Sequence, residues 1–118
     1  MFLKIEYRER MQKHFQKYLV EFVGTFFFLF IIIATGHPLA IGAALALSIF
    51  LGGKISGGNF NPAVTVMMAA AKKIPTKDVV PYIVAQVAGG MLALEAFKYF
   101  WATFAVEQVQ GWTKTVPR

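Results

Sequence analysis

The feature that most constrains this 118-residue chain is a long apolar run near its N-terminus. The run YLVEFVGTFFFLFIIIAT, Tyr18–Thr35, contains a single acidic residue, Glu21. At about 1.5 Å per helical residue, it crosses most of a hydrocarbon core that is about 30 Å thick. A secretory signal peptide is the alternative, but the polar stretch before the run is long and no A-x-A-like cleavage site follows it. The run therefore predicts a membrane-spanning helix.

Two further apolar runs follow, Leu39–Gly53 and Val79–Phe97. The later run is long enough to span a bilayer, and the earlier one is borderline in length. Both contain small residues at helical spacing, which let a neighbouring helix approach closely; these are Gly42 and Ala46 in the earlier run and Gly89, Gly90 and Ala93 in the later one. Hydrophobic residues make up 57% of the chain, which is high for a soluble domain. The fold class predicted is an all-α membrane protein with a membrane domain over 18–105 and spans at about 18–36, 38–54 and 78–100.

A shorter apolar segment, PAVTVMMAAA, Pro62–Ala71, lies between the second and third spans. A helix of this length reaches about 15 Å, half the hydrocarbon thickness. The irregular backbone before it is tolerated at membrane depth only where it is buried in protein or lines a water-filled cavity. The segment therefore predicts a re-entrant half-helix over 62–71, and the alternative is a cytoplasmic loop with a short surface helix.

The basic residues divide unequally between the two sides of these spans. Nine lie in the N-terminal 17 residues or between spans two and three, whereas Lys98, Lys114 and Arg118 lie on the other side. The positive-inside rule then predicts a cytoplasmic N-terminus, and three spans place the C-terminal tail 106–118 outside. The basic tail 1–17 is either an interfacial helix or a solvated flank. Because the charges flank apolar runs, the net charge of +6 does not predict a nucleic-acid partner.

Several functional classes are disfavoured by composition. The chain has no Cys, which excludes disulfides, thiolate metal sites and cysteine nucleophiles. Its two His residues are far apart in sequence, so a metal site built from this chain alone is not expected. No acid, base and nucleophile set converges, so we expect neither catalytic residues, nor a cofactor, nor enzymatic activity. Glu95 and Lys98, three residues apart, are expected to pair near the membrane surface.

The stretch SGGNFNPAVT, Ser56–Thr65, carries the chemistry. Asn61 precedes a proline and is pushed to extended angles, which suit a helix N-cap, and Pro62 suits the first helical position. The helix N-terminus repels cations and presents N–H donors, to which the Asn61 amide adds two. Gly57–Phe60 is expected to approach in extended form with free carbonyls. Such a path suits small uncharged hydrogen-bonding molecules such as water and polyols, although a capped surface helix explains the same residues locally.

These residues resemble the first pore signature of the aquaporin, or major intrinsic protein, family. EFVGTFFFLF is similar to the opening helix of that family and YIVAQVAGG to its third, in matching order over about residues 18–100. The resemblance implies a pore-centre motif, pore-lining carbonyls and two supporting residues. The pore-centre motif would be Asn61, Pro62 and Ala63, and the pore-lining carbonyls would belong to Gly57, Gly58 and Asn59. Glu21 would hold the pore loop, and Gln86 would brace helix packing. Ile41 falls where the family places an aromatic selectivity residue, so the resemblance leaves the choice between water and glycerol open.

The resemblance covers one of the two inverted halves that form an aquaporin. Val64 follows the Asn-Pro-Ala motif, so the selectivity arginine of the family's second half is absent at this position. The expected function is a channel subunit for water or small neutral solutes, embedded in a lipid bilayer and completed by another copy or by a second half-aquaporin chain. The charge asymmetry disfavours an antiparallel homodimer, and a parallel homo-oligomer is a third geometry. The alternative function is a non-conducting half-aquaporin that docks on another membrane protein, or a truncated relic.

Overall fold

The computed structural model describes the backbone of residues 1–115 and the side chains of residues 1–104. It contains four α-helices: α1 (Phe2–Thr35), α2 (Pro38–Ser56), α3 (Pro62–Ala70) and α4 (Val79–Thr115), with a 3₁₀ turn at Thr76–Asp78 before α4. Within the described residues there is no strand. The all-α fold class predicted from the sequence is confirmed. The last three residues of the predicted tail 106–118 lie outside the described part.

Three of the helices are long and apolar enough to cross a membrane, and α3 is not among them. The basic tail 1–17 belongs to the same helix as the first apolar run, so α1 reaches about 51 Å. α4 begins at Val79 and continues to Thr115, beyond the predicted end of the third span. The molecule is accordingly elongated, with extents of 75 × 33 × 22 Å.

The connection between α1 and α2 is a short turn fixed by local backbone chemistry. α1 ends at Gly36, whose left-handed conformation (φ 56°) directs its N–H to the carbonyl of Ile32. His37 then caps α2, since its Nδ1 accepts the N–H of Leu39 at 3.2 Å, and Pro38 occupies the first helical position. The turn makes α1 and α2 antiparallel neighbours.

α1 lies at the centre of the bundle and packs against both α2 and α4. A methyl group at Gly89 of α4 would lie 2.5 Å from the backbone oxygen of Phe22. On the other side, one at Gly52 of α2 would lie 2.5 Å from Cγ1 of Val20. Glycines at these two contacts therefore set the helix separations. Gly89 belongs to the small-residue face predicted on the third span, whereas Gly52 was not predicted. Gly42, predicted to allow a close approach on the second span, faces open space.

The interior of this bundle is polar and its exterior is apolar. The fully buried side chains include Glu21, Thr25, Thr65, Asp78 and Gln86, whereas many of the large hydrophobic side chains are exposed. This is the arrangement expected where the surrounding solvent is lipid, because apolar side chains gain nothing by leaving the bilayer and polar groups must find partners inside.

Candidate functional site

The segment Gly57–Asn61, hereafter the motif loop, leads into α3. Asn61 shares a surface recess with Thr25 of α1 and with Gln86 and Val87 of α4. Gln86 lies eight residues along the chain from Asp78, or about 12 Å along the helix axis. α3 therefore begins near the middle of the spans and returns in nine residues to the basic segment that contains Lys72 and Lys73.

The motif loop is curled rather than extended. Gly57 (φ 92°), Gly58 (φ 68°) and Phe60 (φ 53°) all adopt left-handed conformations. The expectation of an extended approach over Gly57–Phe60 is therefore wrong at three of its four positions. The two glycines accept this conformation readily, but a bulky aromatic residue does so only when its surroundings hold it there.

Phe60 is held by its ring and by its backbone. The side chain is 2% exposed, and its ring lies against Gly24 of α1, where any Cβ atom would collide with it. Its N–H donates to Oε1 of Glu21 at 2.8 Å. Phe60 therefore closes the motif loop onto α1, and Gly24 provides the space for its ring.

Glu21 is the main hydrogen-bond acceptor of the loop. It is completely buried, and its two carboxyl oxygens accept four hydrogen bonds. Oε2 accepts from the hydroxyl of Ser56 at 2.6 Å and from the N–H of Asn59 at 3.1 Å. Oε1 accepts from the N–H of Phe60 and from the side-chain amide of Gln86, each at 2.8 Å. A carboxyl group buried at this depth is tolerated because every bond it makes is to a donor that itself needs an acceptor.

Thr65 of α3 joins the loop to α4. Its hydroxyl oxygen accepts from the Asn59 side-chain amide at 3.0 Å and from the Gln86 amide at 2.8 Å. Gln86 thus bridges Glu21 on α1 and Thr65 on α3, both of them fully buried. The structure places Gln86 at the junction of three helices.

The Asn-Pro-Ala segment forms the exposed tip of α3. Asn61 has extended angles (φ −162°, ψ 126°), and its Oδ1 accepts the N–H of Ala63 at 2.8 Å, so the predicted N-cap is present. Asn61, Pro62 and Ala63 are all exposed. Because the side-chain oxygen serves the cap, the Asn61 amide hydrogens remain for another acceptor. The tip therefore combines the positive end of a helix with free donors.

The remaining predicted residues lie apart from this network or on its edge. Gly57 is exposed and Gly58 half-buried, whereas Asn59 is buried with its amide directed to Thr65. Ile41 lies in the first turn of α2, half-exposed, where its N–H donates to the carbonyl of His37. Along α2 it is about 22 Å from Ser56, at the opposite end of the helix.

Five buried residues that make hydrogen bonds in or beside this network were not singled out as candidate site residues from the sequence: Ser56, Phe60, Thr65, Asp78 and Tyr82. All three of Ser56, Phe60 and Thr65 belong to the quoted motif. Asking which donors a buried Glu21 would need could have found Ser56 and Phe60, whereas Thr65 is an acceptor and has no such signal. Asp78 had a clearer signal, since it is the single acid in a basic connection and directly precedes a span. Among the described residues no group of three or more potential metal-binding side chains is present.

Comparison with known proteins identifies relatives of this chain. Residues 35–116 match the model of the family described as "Major intrinsic protein". The chain is 45% identical over 94 residues to "Glycerol uptake facilitator protein-like 6" of Lactiplantibacillus plantarum, covering 72% of this chain and 44% of the relative. It is 39% identical over 92 residues to "Aquaporin Z" of Rhodopseudomonas palustris, covering 65% and 38% respectively.

A third relative is "Aquaporin AqpM" of Methanothermobacter thermautotrophicus, 38% identical over 106 residues, with 64% of this chain and 43% of the relative covered. The chain thus spans less than half the length of the curated relatives it matches. No solved structure matches it. Together with the family match over more than half of the chain, these similarities show that the chain belongs to the major intrinsic protein family.

Proposed function

We propose that this chain is a channel subunit for water or small neutral solutes, whose pore passes the motif loop and the tip of α3. The observation that carries the proposal is the exposed Asn61 tip, which follows a loop held by the buried network around Glu21. A helix N-terminus with free amide donors disfavours cations and can donate to a passing oxygen atom. The family of the chain contains relatives named for water and for glycerol, which are the two permeant classes we propose.

We further propose that a second chain completes the pore. Beside the tip of α3 lies an open recess between α1 and α4, walled by Thr25, Ile32, Val87 and Met91 among others. Oγ1 of Thr25 and Oε1 of Gln86 are buried there without a hydrogen-bond partner. Buried orphan groups of this kind are uncommon in native structures. A second half-helix, from another copy or from a second half-aquaporin chain, would fill this recess and meet the tip of α3.

The proposed arrangement in the membrane follows the charges. We propose a cytoplasmic N-terminus and an outside C-terminus, because nine of the basic residues lie at the end of the bundle that contains Lys72 and Lys73. Ile41 would lie towards the outer mouth of the pore. The same asymmetry favours a partner chain of opposite charge distribution over an antiparallel copy.

The test is osmotic permeability of lipid vesicles that contain the purified protein, with and without glycerol as the driving solute. We expect faster shrinkage than in empty vesicles, and we expect Asn61→Asp to change the rate because it replaces the amide donors with acceptors. Asn59→Asp is not a suitable control, since Asn59 is buried; Glu95→Gln, on the exposed surface, is the matched one.

The outcomes separate the two functional classes. Permeability equal to that of empty vesicles, for a protein shown to be folded, would exclude a channel of identical chains. If adding a co-purifying second chain then restored permeability, the hetero-oligomeric channel would stand. If permeability stayed at the level of empty vesicles, the non-conducting docking protein would replace it.

A further inference from the structure

The motif loop is held from two sides, and only the Glu21 side was expected from the sequence. We propose that Asp78 and Tyr82, at the start of α4, form a second anchor that positions the first residues of the motif loop. The effect of this anchor on permeation rests on the proposed channel function; its effect on loop geometry does not.

Tyr82 contacts Ser56, the residue that directly precedes the motif loop. Its side chain is 1% exposed, and its hydroxyl donates to the backbone carbonyl of Ser56 at 2.6 Å. Ser56 is the last residue of α2, and its own hydroxyl donates to Glu21 and accepts the N–H of Gly58 at 3.1 Å. Glu21 and Tyr82 thus hold the same residue through different atoms, one through the side chain and one through the carbonyl.

A polar cluster between α1 and the 3₁₀ turn orients Tyr82. The ring of Tyr18 meets the ring of Tyr82 edge-on, with centroids 5.9 Å apart and planes at 82°. The hydroxyl of Tyr18 donates to Oδ1 of Asp78 at 2.9 Å, and Lys17 pairs with Oδ2 at 3.0 Å. Asp78 is fully buried, and His14 completes its surroundings with Nδ1 at 3.8 Å. Contacts therefore run without a break from Asp78 through Tyr18 and Tyr82 to Ser56.

Both anchors are mounted on the same face of α1. Lys17 and Tyr18 precede Glu21 by four and three residues, which places them one helical turn apart. The two groups of contacts therefore share one rigid segment of helix, and a shift of α4 along α1 would move Ser56 relative to Glu21. The geometry explains why a buried acid directly precedes the third span: it fixes the register of α4 against α1.

The anchor has a specific consequence for the loop carbonyls. The carbonyl of Ser56, a buried residue, accepts a hydrogen bond from Tyr82, and Gly57 is the first exposed residue after it. Gly57 and Gly58 have left-handed angles and no side chain to hold them, so their positions depend on the residues on either side. Tyr82 therefore fixes the residue from which Gly57 and Gly58 continue.

The decisive experiment is hydrogen exchange of the backbone amides in Tyr82→Phe, which retains the ring and removes only the hydroxyl. Loss of one buried hydrogen bond is expected to raise exchange at Gly58, Asn59 and Phe60 about fivefold. Amides of Ile31–Ile33, at the other end of α1, should exchange as in the unmodified protein. Tyr99→Phe is the matched control, because Tyr99 is 80% exposed.

Asp78→Asn provides a second variant that acts through Tyr18 rather than on the loop itself. It should raise exchange at the same three amides, by less than Tyr82→Phe, because the Tyr18 ring keeps part of its packing. Unchanged exchange at Gly58, Asn59 and Phe60 in Tyr82→Phe, or an equal rise along the whole of α1, would overturn the anchor.

Permeability is a second measurement, and it should not change if Tyr82 only stabilises the fold. In vesicles, Tyr82→Phe should change the ratio of glycerol to water permeability by about twofold or more while the folded fraction stays the same, since even a weak hydrogen bond of about 0.5 kcal/mol corresponds to about a twofold factor. An unchanged ratio would overturn the effect on permeation. If the unmodified protein conducts nothing, the proposed channel fails, and hydrogen exchange still decides the anchor.

Discussion

The two ends of this bundle are held together by different chemistry. In the loop half, which contains the motif loop and Asp78, buried polar side chains on α1, α3 and α4 are joined by hydrogen bonds through Glu21 and Gln86. In the recess half, which contains Thr35 and Trp101, α1 and α4 meet through aromatic rings, as in the contacts of Phe30 with Phe97 and Phe100 at 6.4 Å. Among the described residues, no side-chain hydrogen bond joins two helices there.

The difference shows which part of the site is complete in one chain. In lipid, apolar contact between helices contributes little, and specificity comes from close packing and from hydrogen bonds. The loop half has both, whereas Thr25 and Gln86, where it meets the recess half, have unpartnered atoms beside the open recess. We infer that the loop half folds as a preformed module and that the recess half is the side that receives a partner.

The largest expected effect comes from Glu21→Gln, which breaks the loop half at its centre. The substitution replaces one of the two acceptor oxygens with an NH₂ group, which is itself a donor. At least one of the N–H or O–H groups that donated to that oxygen then loses its acceptor. We expect the free energy of unfolding in detergent to fall by about 2–4 kcal/mol. Glu95→Gln, at a carboxyl group that is 63% exposed, is the matched control. A loss below about 0.5 kcal/mol would show that the network does not stabilise the loop half.

Gly89→Ala tests the close approach of α1 and α4 where the two halves meet. The added methyl would lie 2.5 Å from the backbone oxygen of Phe22 and 3.1 Å from the N–H nitrogen of Phe26, and backbone atoms cannot move aside as a flexible side chain can. We expect a loss of about 1–3 kcal/mol in the free energy of unfolding. Gly42→Ala, at a position with no atom within 4 Å, should be neutral or slightly stabilising. Equal effects of the two substitutions would contradict the assigned helix contact.

How much of this could be read from the sequence differs between the two halves. The spans, the half-helix and the Asn61 cap follow from local patterns: apolar length, a proline after an asparagine, and small residues at helical spacing. Glu21 was identified through the family resemblance, and its four donors are separated from it by up to 65 residues, so no local pattern specifies them. The left-handed angle of Phe60 was missed because it depends on Gly24, a contact made only after the helices pack.

The next prediction concerns association with a second chain at the recess half. Val87, 53% exposed, lines the recess beside Asn61, so Val87→Trp should obstruct a docking half-helix without disturbing the loop half. We expect association to weaken at least tenfold, about 1.4 kcal/mol, as measured by energy transfer between labelled copies, or between copy and partner chain, in vesicles. Val84→Trp, one turn away and 61% exposed, is the control. Equal association of the two variants would show that the recess is not the docking surface.

The smallest expected effect is at the exposed ion pair of α4. Glu95 and Lys98 pair at 3.4 Å as their spacing predicted, but both side chains are more than 60% exposed. An exposed pair at this spacing contributes at most about 0.5 kcal/mol, because water or headgroups solvate each charge as well as the partner does. Glu95→Gln should therefore leave the unfolding free energy within about 0.5 kcal/mol, whereas Asp78→Asn, which removes the charge from a fully buried partner of Lys17, should lower it by more. Measuring the two variants together compares a buried ion pair with an exposed one. We expect the buried pair to stabilise the bundle and the exposed pair to contribute little, because the surroundings already solvate its charges. A larger loss for Glu95→Gln than for Asp78→Asn would contradict the inference that the loop half is a preformed module.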